Sequence, residues 1–119
     1  MQKSLNKQTI IVIGGSSGIG WAVAKICYEQ GANVSLSSRV LAKAQAAAQA
    51  IGDTVQALEL DVDEEEAVNA CLANFDQIDH IYIAAGSTKL GGVLDGSLLD
   101  NMQAFQTRLL GSLRIVRAA

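Results

Sequence analysis

The sequence has 119 residues, half of them hydrophobic and 18% charged, with a formal net charge of −3 and no proline. That length carries one domain, whose core would bury roughly two-thirds of the surface its unfolded chain exposes, and the apolar content excludes a disordered chain. Acids gather at 61 to 66 while bases scatter, so no basic stripe awaits a nucleic-acid backbone, and no apolar run approaches a signal-peptide core or a membrane span.

Thr9 to Ile13 is a continuous apolar run, which predicts a strand covered on both faces. A turn with four glycines follows, and Ile19, Ala22, Val23, Ile26 and Cys27 then recur at helical spacing up to Gly31, a left-handed stop. "NVSLSSR" reads as a second strand, alanine-rich Val40 to Ile51 as a second helix ending at Gly52, and "DTVQALELD" as a third strand. Asp63 and Glu66 form a capping-box pattern that opens a third helix running to about Phe75, and most acids of "DVDEEE" suit the positive end of its dipole. "HIYIAAG" is a fourth strand. After a Gly- and Ser-containing loop comes a fourth helix with Leu98, Met102, Phe105, Leu109, Leu113 and Val116 on one stripe.

The order β-α-β-α-β-α-β-α predicts a single α/β domain over 1–119, a doubly wound parallel sheet with helices on both faces and strand order 3-2-1-4. Cys27 and Cys71 fall inside helical patterns, far from each other and from metal-ligand spacing, and read as buried reduced thiols. No metal is indicated, and the expected compartment is the cytoplasm. His80, the only histidine, opens the fourth strand away from the ligand end and reads as structural.

In such a sheet the ligand crevice lies where the winding reverses, between the first and fourth strands, and the glycine turn falls there. Gly14 lets the chain turn, Gly18 leaves backbone N–H groups uncovered, and Gly20 lets the helix approach the strand. Ser16 and Ser17 add hydroxyls, and the helix N-terminus offers donors to a pyrophosphate. The general G-x-G-x-x-G pattern is not met; the spacing is G-x-x-x-G-x-G at Gly14, Gly18 and Gly20.

"IGGSSGIG" resembles the cofactor loop of the short-chain dehydrogenase/reductase family, "LELDVDEEEA" its segment after the third strand, and "IYIAAG" its fourth-strand Asn-Asn-Ala-Gly motif. The resemblance implies a Rossmann-like fold that binds a dinucleotide around the loop from Gly14 through Ile19 to Gly20. By it Asp61 would accept from the adenine amino group, Val62 would pack on the ring, and Ala85 and Gly86 would pass near the nicotinamide ribose. The second strand ends in Ser37, Ser38 and Arg39, with no carboxylate between Glu29 and Asp53 to receive a ribose 2′-OH. Ser38 and Arg39 therefore suggest a 2′-phosphate site and NADP(H) rather than NAD(H); the alternative for Arg39 is a solvated residue opening the second helix.

The family's enzymes carry a serine after the fifth strand and a Tyr-x-x-x-Lys pair on the next helix. Neither tyrosine here, Tyr28 or Tyr82, has a lysine four residues on. The family's threonine before the first glycine is Ile13, its two asparagines on the fourth strand are Ile83 and Ala84, and the asparagine of its fourth helix is Arg108. The resemblance thus implies the N-terminal cofactor-binding part of an oxidoreductase, lacking the family's C-terminal strands, cut short and inactive alone. The alternative is a non-catalytic, self-associating nucleotide-binding module, and a weaker one is a flavin or nucleotide-sugar binder. An apolar fourth strand left at a sheet edge predicts a homodimer or larger assembly through that strand or the fourth helix. Ser87 and Lys89 fall in the loop on the ligand side, where contact with a ligand and plain solvation explain them equally.

Overall fold

The computed structural model describes residues 4–85, 94 and 96–119. Among the described residues eight elements alternate as expected: β1 (Thr9–Ile13), α1 (Gly18–Glu29), β2 (Asn33–Ser38), α2 (Leu41–Ile51), β3 (Gln56–Glu59), α3 (Glu65–Ala73), β4 (His80–Ile83) and α4 (Leu98–Ala118). The strands form one parallel sheet in the order β3-β2-β1-β4. The predicted α/β class, doubly wound topology and strand order therefore hold.

Strand alternation splits the core into two layers. Ile10 and Val12 of β1 pack with Val34 and Leu36 of β2 beneath α1 and α2, whereas Ile11 and Ile13 face the other way, against Val68 and Leu72 of α3 and Ile115 of α4. The small side chains Ala44, Ala47 and Ala48 let α2 lie close to the sheet, and Trp21 Nε1 donates to the Ala47 carbonyl at 3.1 Å, tying α1 to α2. Helix α1 ends in a Schellman turn: Ala32 N–H donates to Cys27 O at 3.1 Å and Gly31 N–H to Tyr28 O at 3.0 Å, with Gly31 at φ +90°.

Several expectations change. The inward face of α1 is Gly20 and Ala24, with Trp21, Val23, Cys27 and Tyr28 half-buried, so Ile19, Ala22 and Ile26 of the predicted stripe point outward. Small residues win the inner face because the helix sits close to the strands. Helix α4 is likewise seated on Thr107, Gly111 and Ile115, and the whole apolar stripe from Leu98 to Val116 is exposed. Asp63 is not the helix cap: the N-cap residue of α3 is Glu64, which makes no side-chain cap, and the Asp63 carboxylate is drawn instead to α4. The third and fourth strands are shorter than their apolar patterns, each having one hydrogen-bonded neighbour in the sheet.

At the end of the sheet remote from the glycine turn, His80 Nε2 lies 2.8 Å from Gln8 Oε1, a contact that joins β4 to the entry of β1. Cys27 and Cys71 are free and half-buried, and burial pushes both thiols above their ordinary value. That keeps them protonated and poorly nucleophilic.

Candidate functional site: a crevice at the sheet's carboxyl end

A crevice of about 850 Å³ opens at the carboxyl ends of the strands. Its floor is the glycine turn. Gly14, at φ +84°, passes so close to β4 that a Cβ there would stand 2.7 Å from the Ala85 backbone nitrogen, and a Cβ on Gly20 would collide with the Gly14 carbonyl. Side chains are excluded from both positions, so strand, turn and helix meet backbone to backbone. Two bonds from β2 fix the turn: Ser37 Oγ accepts from Gly14 N–H at 3.1 Å, and the Ser37 carbonyl accepts from Gly15 N–H at 2.8 Å.

Helix α1 begins at this floor. Its N-cap, Ser17, makes no side-chain cap and its first turn holds no acid, so no capping oxygen or carboxylate of the helix's own competes for the first-turn N–H groups. Ser16, Ser17, Ile19 and Gly20 line the crevice beside them, while Gly18, at φ +60°, has open space where a Cβ would point.

Three further walls complete the crevice. The β2–α2 wall contributes Ser38, Arg39, Val40 and Lys43; Ser38 Oγ accepts from Val40 N–H at 3.2 Å, which turns the chain into α2. The wall after β3 contributes Leu60, Asp61, Val62 and Asp63. Asp61 Oδ1 accepts from Asp63 N–H at 2.9 Å, and Val62, only 5% exposed, packs beneath α4. The third wall is Tyr82 to Ala85 of β4 and its exit, with Gln103, Thr107 and Arg108 of α4.

Of the residues singled out from sequence, Gly14, Ser16, Ser17, Ile19, Gly20, Ser38, Arg39, Asp61, Val62 and Ala85 come together around this one space. Gly18 belongs to the turn beneath it. Gly86, Ser87 and Lys89 lie outside the described residues. Sequence reasoning missed Ser37 as the anchor of the turn and Lys43 as a second base on the wall of Arg39. The signal for Lys43 was its place four residues after Arg39, in the first turn of a helix. Ser37, between Leu36 and Ser38, carried no such signal, because its partner is the amide of Gly14 on another strand's exit.

Ile13 and Ile83, which stand where the resemblance expects threonine and asparagine, face one another in the β1–β4 register and pack in the same apolar layer. Both side chains are apolar, so no buried polar group is left there without a hydrogen bond.

A family model described as short chain dehydrogenase matches residues 8–119. The chain is 33% identical to the 3-ketodihydrosphingosine reductase TSC10 of Yarrowia lipolytica, over 92% of this chain and 32% of the relative. It is also 33% identical to a 3-oxoacyl-[acyl-carrier-protein] reductase of Bos taurus, over 91% of this chain and 47% of the relative. A solved structure of a short chain dehydrogenase/reductase family protein superposes with a TM-score of 0.91 at 28% identity, covering 100% of this chain and 50% of the other. The chain thus spans about a third to a half of the length of these relatives.

Proposed function

The chain belongs to the short-chain dehydrogenase family, and from that membership we propose that its 119 residues form the NADP(H)-binding part of an oxidoreductase. The observation that carries this reading is the crevice itself. An uncapped helix N-terminus, a glycine turn pressed against the exit of β4, and two bases on the β2–α2 wall surround one space. The first-turn N–H groups of α1 suit a pyrophosphate. Arg39, with Ser38 and Lys43, suits a ribose 2′-phosphate, since a guanidinium donates two parallel hydrogen bonds to such a group. Asp61 serves as acceptor for the adenine amino group, and Ala85 borders the nicotinamide ribose.

When bound, the nicotinamide supplies hydride chemistry; the residues described here bind and orient the cofactor. The tyrosine–lysine pair of the family's enzymes has no counterpart in this sequence, so the 119-residue chain turns over no carbonyl substrate alone. The paired Ile13 and Ile83, together with Arg108 on the crevice wall, favour a second reading, a nucleotide-binding module without catalysis. In either case the reading places the chain in the cytoplasm and in a homodimer or larger assembly. No helix among the described residues is long and apolar enough to cross a membrane.

Calorimetric titration of the chain with NADPH and NADH tests the assignment. The expected result is binding of both through the shared pyrophosphate site, with NADPH preferred. Equal affinities would remove the 2′-phosphate from the reading, and no binding of either would refute the site.

A further inference from the structure

The connection between β3 and α3 reaches the crevice through Asp61 and Val62, and α4 holds it from behind. Arg114 Nη1 donates to the Val62 carbonyl at 3.0 Å and lies 3.9 Å from Asp63 Oδ1. Thr107 Oγ1 donates to Asp63 Oδ2 at 3.3 Å. Gly111 lets Val62 approach so closely that a Cβ there would stand 2.8 Å from Val62 Cγ2. Asp63 passes this restraint on, because its N–H donates to Asp61 Oδ1 at 2.9 Å. One Asp61 oxygen is thereby committed to the backbone, the plane of the carboxylate is set, and Oδ2 is left to a ligand.

We propose that Arg114 and Asp63 are positioning residues for the adenine end of the crevice: they clamp the β3–α3 connection to α4 so that Asp61 presents one fixed carboxylate oxygen to the adenine amino group. The inference rests on reading the crevice as a dinucleotide site. The Arg114–Asp63 pair is partly exposed, and such a pair by itself contributes little. The stronger link is the charge-assisted bond to the Val62 carbonyl, and a guanidinium can reach carbonyl and carboxylate together because its donors form a rigid fork. A hydrogen bond weakens steeply once donor and acceptor lose alignment, so freeing the connection disables Asp61 without removing it.

The test is selectivity for the amino group, which a merely structural role would not move. The 119-residue chain is titrated with NADPH and with its deamino analogue, in which an oxygen replaces the adenine amino group. The wild-type chain should prefer NADPH by roughly tenfold or more, as expected for a hydrogen bond to a charged acceptor. Arg114→Met should narrow that preference to within about threefold, and adding Asp61→Asn should change it no further, since the two act on one contact. Should Arg114→Met melt below the assay temperature, Asp63→Ala carries the same test and the same expected loss. An Arg114→Met chain that keeps the wild-type preference, while Asp61→Asn loses it, overturns the proposal. So does a wild-type chain that binds both compounds equally, although the dinucleotide site then stands. A chain that binds neither overturns the proposal and the reading beneath it.

Discussion

Arg39 and Lys43 line the same wall of the crevice, but they are not equal. A hydrogen bond to a charged group contributes about 1.5–3 kcal/mol, which converts to a roughly 10- to 150-fold preference for the phosphorylated cofactor. Arg39→Ala should erase that preference and leave NADH affinity unchanged. Lys43→Ala, which removes an exposed point charge, should cost no more than about fivefold. Titrations of both variants with both cofactors check this, and an NADPH preference indifferent to Arg39 would refute the assignment. At the other end of the sheet Asp79 accepts from Thr9 N–H at 2.7 Å and from Gln77 Nε2 at 2.8 Å. These bonds, Thr9's first, with His80 nearby, hold its carboxyl below the usual aspartate value. The unfolded chain therefore takes up the proton first, so the contribution is present at neutral pH and lost as pH falls through and below the ordinary aspartate range. Asp79→Asn should destabilise the fold at pH 7, and its deficit against wild type should shrink below about pH 4. Urea melts at a series of pH values check the sign. The residues of the crevice were legible where a backbone constraint or a charge stood out, as at Gly14 or Arg39. Ser37 was not, because nothing local tells a buried serine hydroxyl which distant amide it will meet.

Helix α4 shows where periodicity stops informing. Its apolar residues share one stripe, as the spacing predicts, yet the helix is seated by the opposite side through Thr107, Gly111 and Ile115. A hydrophobic stripe identifies a face; which face meets the sheet is decided by how close the helix must come. Here closeness is set by Val62, and only a residue without a side chain fits over it. The same competition turned Ile19 and Ile26 of α1 outward. By contrast β1 was read with its observed bounds, Thr9–Ile13, because a strand buried on both faces needs apolar residues at nearly every step and no choice of side remains; β2, whose buried positions include Ser35 and Ser37, stops at Ser38, one residue short of its sequence reading. Gly111→Val should therefore destabilise the chain. The extra methyl groups overlap Val62, and overpacking of this kind costs about 1–3 kcal/mol, enough to lower Tm by several degrees. Gln106→Ala, at an exposed position of the same helix, should leave Tm within a degree or two, since surface substitutions fall within about 0.5 kcal/mol. Thermal melts of the two variants side by side decide the matter; an unchanged Tm for Gly111→Val would show that the contact can relax.

Across the whole molecule, β4 stands at one end of the sheet with Tyr82 39% exposed, and α4 presents Met102, Phe105, Leu109 and Leu113 on its outer face. An apolar edge and an apolar helix face are both templates for a second copy. The 119-residue chain should therefore run as a dimer or larger species in size exclusion coupled to light scattering at micromolar concentration. Tyr82→Lys should dissociate it if the strand carries the contact, and Leu113→Glu if the helix does; a monomeric wild-type chain would refute the expectation. The meeting of Gly14 with Ala85 bears on folding as well. The floor of the crevice exists only after the first and last strands of the sheet have paired, so the closure entropy of more than half of the chain is spent before any ligand contact can form. A ligand seated there recognises the completed winding and nothing less. Binding and global folding become one linked equilibrium, in which ligand at a hundred times its Kd adds about 2.7 kcal/mol to the whole fold, felt as slower amide exchange in β1 and β4 alike rather than in the glycine turn alone.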